Sequence, residues 1–249
     1  MTTNELKFLR SLQQKKYRKE HQCFLVEGTK SVEEVLQSNY KVKGVYATKQ
    51  WTDKHPNFLH EVFIISEKEC ERISSLSTPP SVFALVEMKN SSPVSPKKLL
   101  LLDGIKDSGN FGTIIRTADW FDIRCIICSE DTVELYNPKT IQASMGSFTR
   151  VDIHTCNLCE FIKKYSDTYT FIGAFMEGVS VCEYSFPEYS AVVFGSESTG
   201  ISDEVSSLIH EKITINRGNE NEIDKPMAES LNVSISSAIV CYELTKIKK

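Results

Sequence analysis

The chain has 249 residues, 41% hydrophobic and 25% charged, a composition that fits a globular protein of one large or two ordinary domains. Its formal net charge of −4 excludes a uniformly basic nucleic-acid binder. No apolar run approaches the roughly 18 residues of a membrane span, and MTTNELKFLR lacks the apolar core of a secretory signal, so a cytoplasmic protein with no membrane partner is expected.

The charge is uneven. Residues 1–30 carry seven basic side chains (Lys7, Arg10, Lys15, Lys16, Arg18, Lys19, Lys30) against three acidic ones (Glu5, Glu20, Glu27). Such a face either meets phosphates or is a solvated helix surface.

Residues 1–88 read as a small α/β domain. The pattern predicts a helix from Asn4 to Glu20, a strand from Cys23 to Glu27, a helix from Thr29 to Gln37 and a strand from Val42 to Ala47. Shorter strands follow around Val62 to Ile65 and Val82 to Glu87. Residues 89–98, KNSSPVSPKK, have the composition of a linker.

From residue 99 to 249, strands and helices alternate. Strands are predicted at Leu99 to Asp103, Arg124 to Cys128, Val151 to His154, Thr170 to Ala174, Ala191 to Phe194 and Lys212 to Ile215. Helices are predicted at Asn110 to Phe121, Asn137 to Ser147, Leu158 to Tyr165, Asp203 to Ile209 and Ser230 to Leu244. This alternation predicts a largely parallel sheet covered by helices, whose ligands gather beyond the carboxyl ends of the strands.

Three loops on that edge carry chemistry. Leu99 to Leu102 precede a run of turn formers, Asp103 to Asn110, and then a helix on which Asn110 is the expected N-cap. Arg116 lies about 140° around that helix from Phe111, away from the apolar face, and is expected to reach back toward the loop. Gly195-Ser-Glu-Ser-Thr-Gly200 follows a buried strand and precedes a helix capped by Ser202. Ser230, Asn232 and Ser234 crowd the start of the last helix, where Ser230 or Asn232 can cap but capping does not account for all three.

Other chemistries fail on spacing. Gly104 to Gly109 begins like a phosphate-binding loop, but Asn110-Phe111 stand where Lys-Ser/Thr is required. No G-x-G-x-x-G follows a strand, which disfavours a nicotinamide-dependent oxidoreductase, and Gly195-Ser-Glu is not a nucleophile elbow. Cys125 and Cys128 are three apart on a strand and so face opposite sides, which makes core thiols the expectation rather than a zinc site.

Taken in order, Asp103 to Ala118, Gly195 to Gly200 and Ser230 to Ser234 resemble the three motifs of the SpoU (TrmH) branch of the SPOUT superfamily of RNA ribose 2′-O-methyltransferases. Phe24-Leu-Val-Glu-Gly28 before a helix resembles the ribosomal-protein-like substrate-binding domain that often precedes the catalytic domain. The resemblance implies a SPOUT domain with a deep trefoil knot, a homodimer, and an RNA substrate, ribosomal ahead of transfer RNA. It implies S-adenosyl-L-methionine as cofactor, held in the knot against Ala174, Gly195, Ile215 and Leu231, with Asn110, Arg116, Glu197, Ser230 and Asn232 as the catalytic set. The alternative is a noncatalytic RNA-binding or assembly factor that retains the fold.

Methyl transfer to a ribose hydroxyl needs in-line positioning and removal of a proton from a very weak acid. Because guanidinium is effectively always protonated, Arg116 is read as a positioner of RNA phosphate and a stabiliser of developing alkoxide, and a base role stays open. Glu197 and Asn110 would fix the loops or Arg116; Ser230 and Asn232 would shape the donor and ribose sites. Two departures stand out. Ser108 replaces the first motif's proline, and Ile215-Asn216 replaces Ile-Pro and leads into a polar segment, with Pro226-Met227 as the alternative donor contact.

Overall fold

The structure is a computed structural model and describes residues 1–89, 96–218 and 228–246. Most of the expected linker and the Pro226-Met227 contact therefore lie outside the described residues. The chain begins with α1 (Thr3–Ser11), α2 (Lys15–His21), β1 (Cys23–Glu27), α3 (Thr29–Leu36), β2 (Val42–Thr48), α4 (Lys49–Lys54), β3 (Val62–Ile65), α5 (Glu67–Ile73) and β4 (Val82–Glu87). It continues through β5 (Lys98–Asp103), α6 (Ser108–Trp120), β6 (Cys125–Cys128), α7 (Pro138–Ser144), β7 (Asp152–Thr155), α8 (Leu158–Tyr165) and β8 (Thr170–Ser180). The last elements are β9 (Ser190–Gly195), α9 (Asp203–Ser206), β10 (Glu211–Thr214) and α10 (Val233–Thr245). Among the described residues no helix is long and apolar enough to cross a membrane.

Contacts group the chain into two units, residues 1–90 with 134–149, and residues 91–133 with 150–249. The first holds a four-stranded sheet in the order β1-β4-β2-β3, antiparallel except for β2 with β3. Leu6, Leu9 and Leu12 join Cys70 and Ile73 against Cys23, Leu25, Phe83 and Leu85 on one face. On β1's other face Phe24 meets Tyr40, Tyr136 and Phe148 at ring-centroid distances of 6.0, 4.4 and 5.9 Å. Each such side chain removed from water contributes about 1.5–3 kcal/mol.

The single helix expected from Asn4 to Glu20 is two, broken at Leu12–Gln14. There the carbonyls of Leu12 and Gln13 leave the helical ladder and accept hydrogen bonds from Arg18 Nη1, both at 2.8 Å. Arg18 itself is 2% exposed and paired with Glu134, so it is no part of a basic surface. The short helices α4 and α5 lack enough turns to show a periodicity. They are announced by caps instead, with Thr48 accepting from the Trp51 N–H and Ser66 forming a capping box with Glu69.

The second unit is a six-stranded, wholly parallel sheet in the order β10-β8-β9-β5-β6-β7. Leu99, Leu101, Ala191 and Val193 pack with Leu158 and Ile162 of α8 on one face. The alternate residues Leu100, Leu102, Val192 and Phe194 are equally buried on the other, where α10 packs on α6 and β9. The eight cysteines are free thiols, and burial pushes Cys125 up to about 12.

From β5 the chain moves one way along the sheet to β6 and β7, and from β9 it moves the other way to β10. The boundary between β5 and β9 is thus a topological switch point, where the loops after the two strands diverge and leave a crevice. Leu102 is in register with Phe194 and Asp103 with Gly195, so the first two polar loops leave the sheet side by side.

Candidate active site

Beside the β9 loop, on the side of β8 and β10, lies a pocket of about 470 Å³ whose lining includes Ala174, Gly195, Glu197, Ile215, Ser230 and Leu231. All four residues expected to contact the cofactor therefore share one cavity. Ile215 falls just past β10 rather than within it, which leaves its backbone outside the sheet ladder. β8 runs on to Ser180, beyond the expected end at Ala174, because it bulges. Its pairing with β10 jumps from Gly173 to Val179 between Lys212 and Ile213, and Ala174, Phe175 and Met176 in the interval line the pocket.

The loop after β9 closes on itself. Ser196 and Gly200 exchange N–H···O bonds of 3.1 and 3.0 Å, and Gly200 takes φ of +69°. A Cβ on Gly195 would fall 2.0 Å from the carbonyl carbon of Gly200, so only glycine permits this turn. Ser202 precedes α9 but makes no side-chain cap; its N–H donates to Asp103 Oδ2 at 2.8 Å instead.

Helix α6 begins earlier than expected. Asp107, not Asn110, is the N-cap, its Oδ1 accepting from the Asn110 N–H at 2.7 Å. Ser108 and Gly109 enter the helix behind it, and Asn110 is left in the first turn with its side chain free of capping duty. That side chain donates through Nδ2 to Glu197 Oε1 and accepts through Oδ1 from Asn232 Nδ2 at 3.0 Å. Asn232, the N-cap of α10, accepts through its own Oδ1 from Ser234 N–H at 2.9 Å and from Ser234 Oγ at 2.6 Å. A relay Asn232–Asn110–Glu197 thus joins the three loops, and each amide uses its donor and its acceptor.

Two members of the expected set stand outside the relay. Ser230 lines the pocket and forms no part of the chain of hydrogen bonds. Arg116 is exposed and has no hydrogen bond or ion pair among the described residues, so its expected approach to the Asp107–Asn110 loop is not made. The reason is helical: six residues beyond Asn110 means about 9 Å along the axis and about 120° around it.

Two contributors, Asp103 and Asp107, were not singled out from the sequence, and Ser234 was named there without its partner. Asp103, 8% exposed, holds the far end of the Glu197 loop. Asp107 caps α6, and Ser234 braces Asn232. Each sits within a motif, and none advertises its partner in the sequence.

The model of the SpoU rRNA Methylase family matches residues 97–242, and that of the MRM3-like substrate binding domain matches residues 3–84. The 23S rRNA (guanosine(2553)-2′-O)-methyltransferase RlmP of Bacillus subtilis strain 168 is 28% identical over 248 residues, covering 96% of this chain and 95% of that protein. A solved structure from Porphyromonas gingivalis, of the TrmH family, is 36% identical with a TM-score of 0.86 over 98% of each chain. A second, the AdoMet-bound rRNA methyltransferase of Sinorhizobium meliloti, is 26% identical with a TM-score of 0.82 over 98% of this chain and 95% of that one. With the family match spanning the pocket, the switch point and all three loops of the relay, the chain belongs to the SpoU rRNA methylase family.

Proposed function

We propose that this protein transfers a methyl group from S-adenosylmethionine to the ribose 2′-hydroxyl of a nucleotide in RNA, with ribosomal RNA the substrate ahead of transfer RNA. The observation that carries this reading is the pocket lined by the loop after β9 and the start of α10, to which the Asn232–Asn110–Glu197 relay ties the loop after β5. The pocket suits the cofactor on its own terms. Its volume lies within the range of about 300–1,000 Å³ usual for small-molecule sites, and its apolar residues Phe194, Ile201, Ile213 and Val240 sit beside backbone-rich loops. Gly195 lets the loop beside the pocket close against Gly200, where any side chain would collide with backbone.

When bound, S-adenosylmethionine supplies an electrophilic methyl group. The chain's own residues supply position. Gly195, Ala174, Ile215 and Leu231 bound the donor site, while Glu197 and Asn232 hold Asn110 at its edge in one orientation. Ser230 lines the same space, and it and Asn232, the N-cap of α10, shape the donor and ribose sites. Arg116, exposed and free among the described residues, is available to an RNA phosphate and to charge developing on the 2′-oxygen.

A homodimer, the trefoil knot and a cytoplasmic location belong to the same proposal. The outer face of α10 supports the first. Ile235, Ile239 and Tyr242 recur at helical spacing on the side opposite the buried Val233, Ser237, Val240 and Leu244. Ile235 and Tyr242 are 52% and 53% exposed, and a helix apolar on both faces is one that a partner covers.

Incubating the protein with labelled donor and ribosomal or transfer RNA, followed by mapping of ribose methylation, tests the reading. Transfer to ribosomal RNA that is lost in Arg116→Ala is expected. Donor binding without transfer to any RNA overturns catalysis in favour of a noncatalytic RNA-binding protein. Sedimentation of wild type and Tyr242→Glu tests the dimer, which the buried charge is expected to dissociate.

A further inference from the structure

The proposed cofactor carries a carboxylate as well as its positive centres, and a cation in the pocket would complement that negative charge. Among the described lining residues Arg217 is the only cation; Glu197 and Glu229 are the anions. We infer that Arg217 binds the amino-acid carboxylate of the methyl donor, an assignment that rests on the cofactor reading above.

Several of the other donors around the pocket are already engaged. Two of the first N–H groups of α10 are taken, since Ser234 N and Ile235 N both donate to Asn232 Oδ1 at 2.9 and 3.4 Å. The loop after β9 spends its amides internally, Ser196 N on Gly200 O, Gly200 N on Ser196 O, and Thr199 N on Ser196 Oγ. Ser202 N is held by Asp103. These amides are not available to an anion, which favours a cationic side chain for the carboxylate.

Arg217 fits that role in position and in valence. Its Nη2 donates to the Glu229 carbonyl at 2.9 Å, which tethers the guanidinium between the two chain segments that flank the pocket. One of five N–H donors is thereby used, and the planar fork can still present two to a carboxylate. Arg217 is exposed, so solvent screens the pair and its contribution is modest.

Calorimetric titration with S-adenosylhomocysteine, which has the amino-acid carboxylate, and 5′-methylthioadenosine, which lacks it, separates the contact from general damage. Arg217→Ala is expected to weaken S-adenosylhomocysteine about tenfold and to leave 5′-methylthioadenosine within about twofold. Arg217→Gln, which keeps a donor for the Glu229 carbonyl but no charge, is expected to show the same selective loss. Equal losses for both ligands, retention of S-adenosylhomocysteine affinity in either variant, or loss confined to RNA binding overturns the assignment. Failure of the wild-type protein to bind either ligand overturns the cofactor reading as well, an outcome distinct from selective failure at Arg217.

Discussion

Asn232 donates its side-chain amide to Asn110 Oδ1 at 3.0 Å, linking residues 122 positions apart and fixing the amide orientation that lets Asn110 donate to Glu197. The polarity of this relay is a testable property. Asn110→Asp keeps the acceptor for Asn232 but sets a carboxylate against Glu197, and like charges repel. Single-turnover methyl transfer is expected to fall on the order of 100-fold, the scale of losing one positioned donor at an active site. Adding Glu197→Gln restores a donor–acceptor pair with reversed polarity and is expected to recover part of the rate. A double variant no faster than Asn110→Asp alone would show that the link to Glu197 is not what matters.

Asp103 acts one step further out. Its buried Oδ2 accepts from the Ser202 N–H at 2.8 Å, at the far end of the loop that presents Glu197. Asp103→Ala leaves that N–H without its partner, at a stability cost of about 1–3 kcal/mol. Donor affinity is expected to drop and amide hydrogen exchange to rise at residues 196–202. Asp103→Asn keeps a carbonyl acceptor and is expected to rescue both. Unchanged exchange in Asp103→Ala would remove Asp103 from any positioning role.

Much of this was legible before the structure. The apolar runs Leu99–Leu102 and Ala191–Phe194 announce central strands, because a sheet covered on both faces buries every residue of such a run. Helix starts were less legible. Asp107 and Asn110 are equally good caps by residue type, and only the three-dimensional loop decides that the carboxylate caps and the amide is released. The three loops could be named from polar residues following apolar strands, but the hydrogen bonds between them could not, since each partner lies in a different motif. Arg18 is the extreme case: its counter-charge is 116 residues away, so a surface cation was the natural reading.

That buried pair gives the third prediction. The Arg18 and Glu134 side chains are 3% and 15% exposed. Burial pulls the guanidinium down to about 10, and it stays charged at neutral pH with Glu134 as its counter-ion. Glu134→Ala strands the cation and is expected to cost about 3–5 kcal/mol in urea unfolding. Replacing both with apolar residues, Arg18→Met with Glu134→Leu, is expected to retain most of the stability, because neither charge then has to be desolvated. A loss below about 1 kcal/mol in Glu134→Ala would place the pair among screened surface contacts.

Glu27 gives a pH signature with a definite sign. Burial raises its carboxyl above the ordinary range, and hydrogen bonds from Ser74 and Gln13 only partly oppose the shift. A raised folded value means the folded state holds the proton more tightly than the unfolded chain. The resulting stability is complete below the unfolded value and is lost as pH rises through the folded one. Glu5, Glu69, Glu87 and Asp131 are shifted the other way by their hydrogen-bond partners, so they add stability as pH rises and act below the ordinary range. Glu27→Gln removes only the first effect, and the Ser74 hydroxyl can turn to accept from the new amide. Urea midpoints measured from about pH 4 to about pH 7 are therefore expected to coincide at the acid end and to favour the variant at the neutral end. Parallel curves would mean that Glu27 keeps its ordinary acidity and that Gln13 and Ser74, rather than burial, set its state.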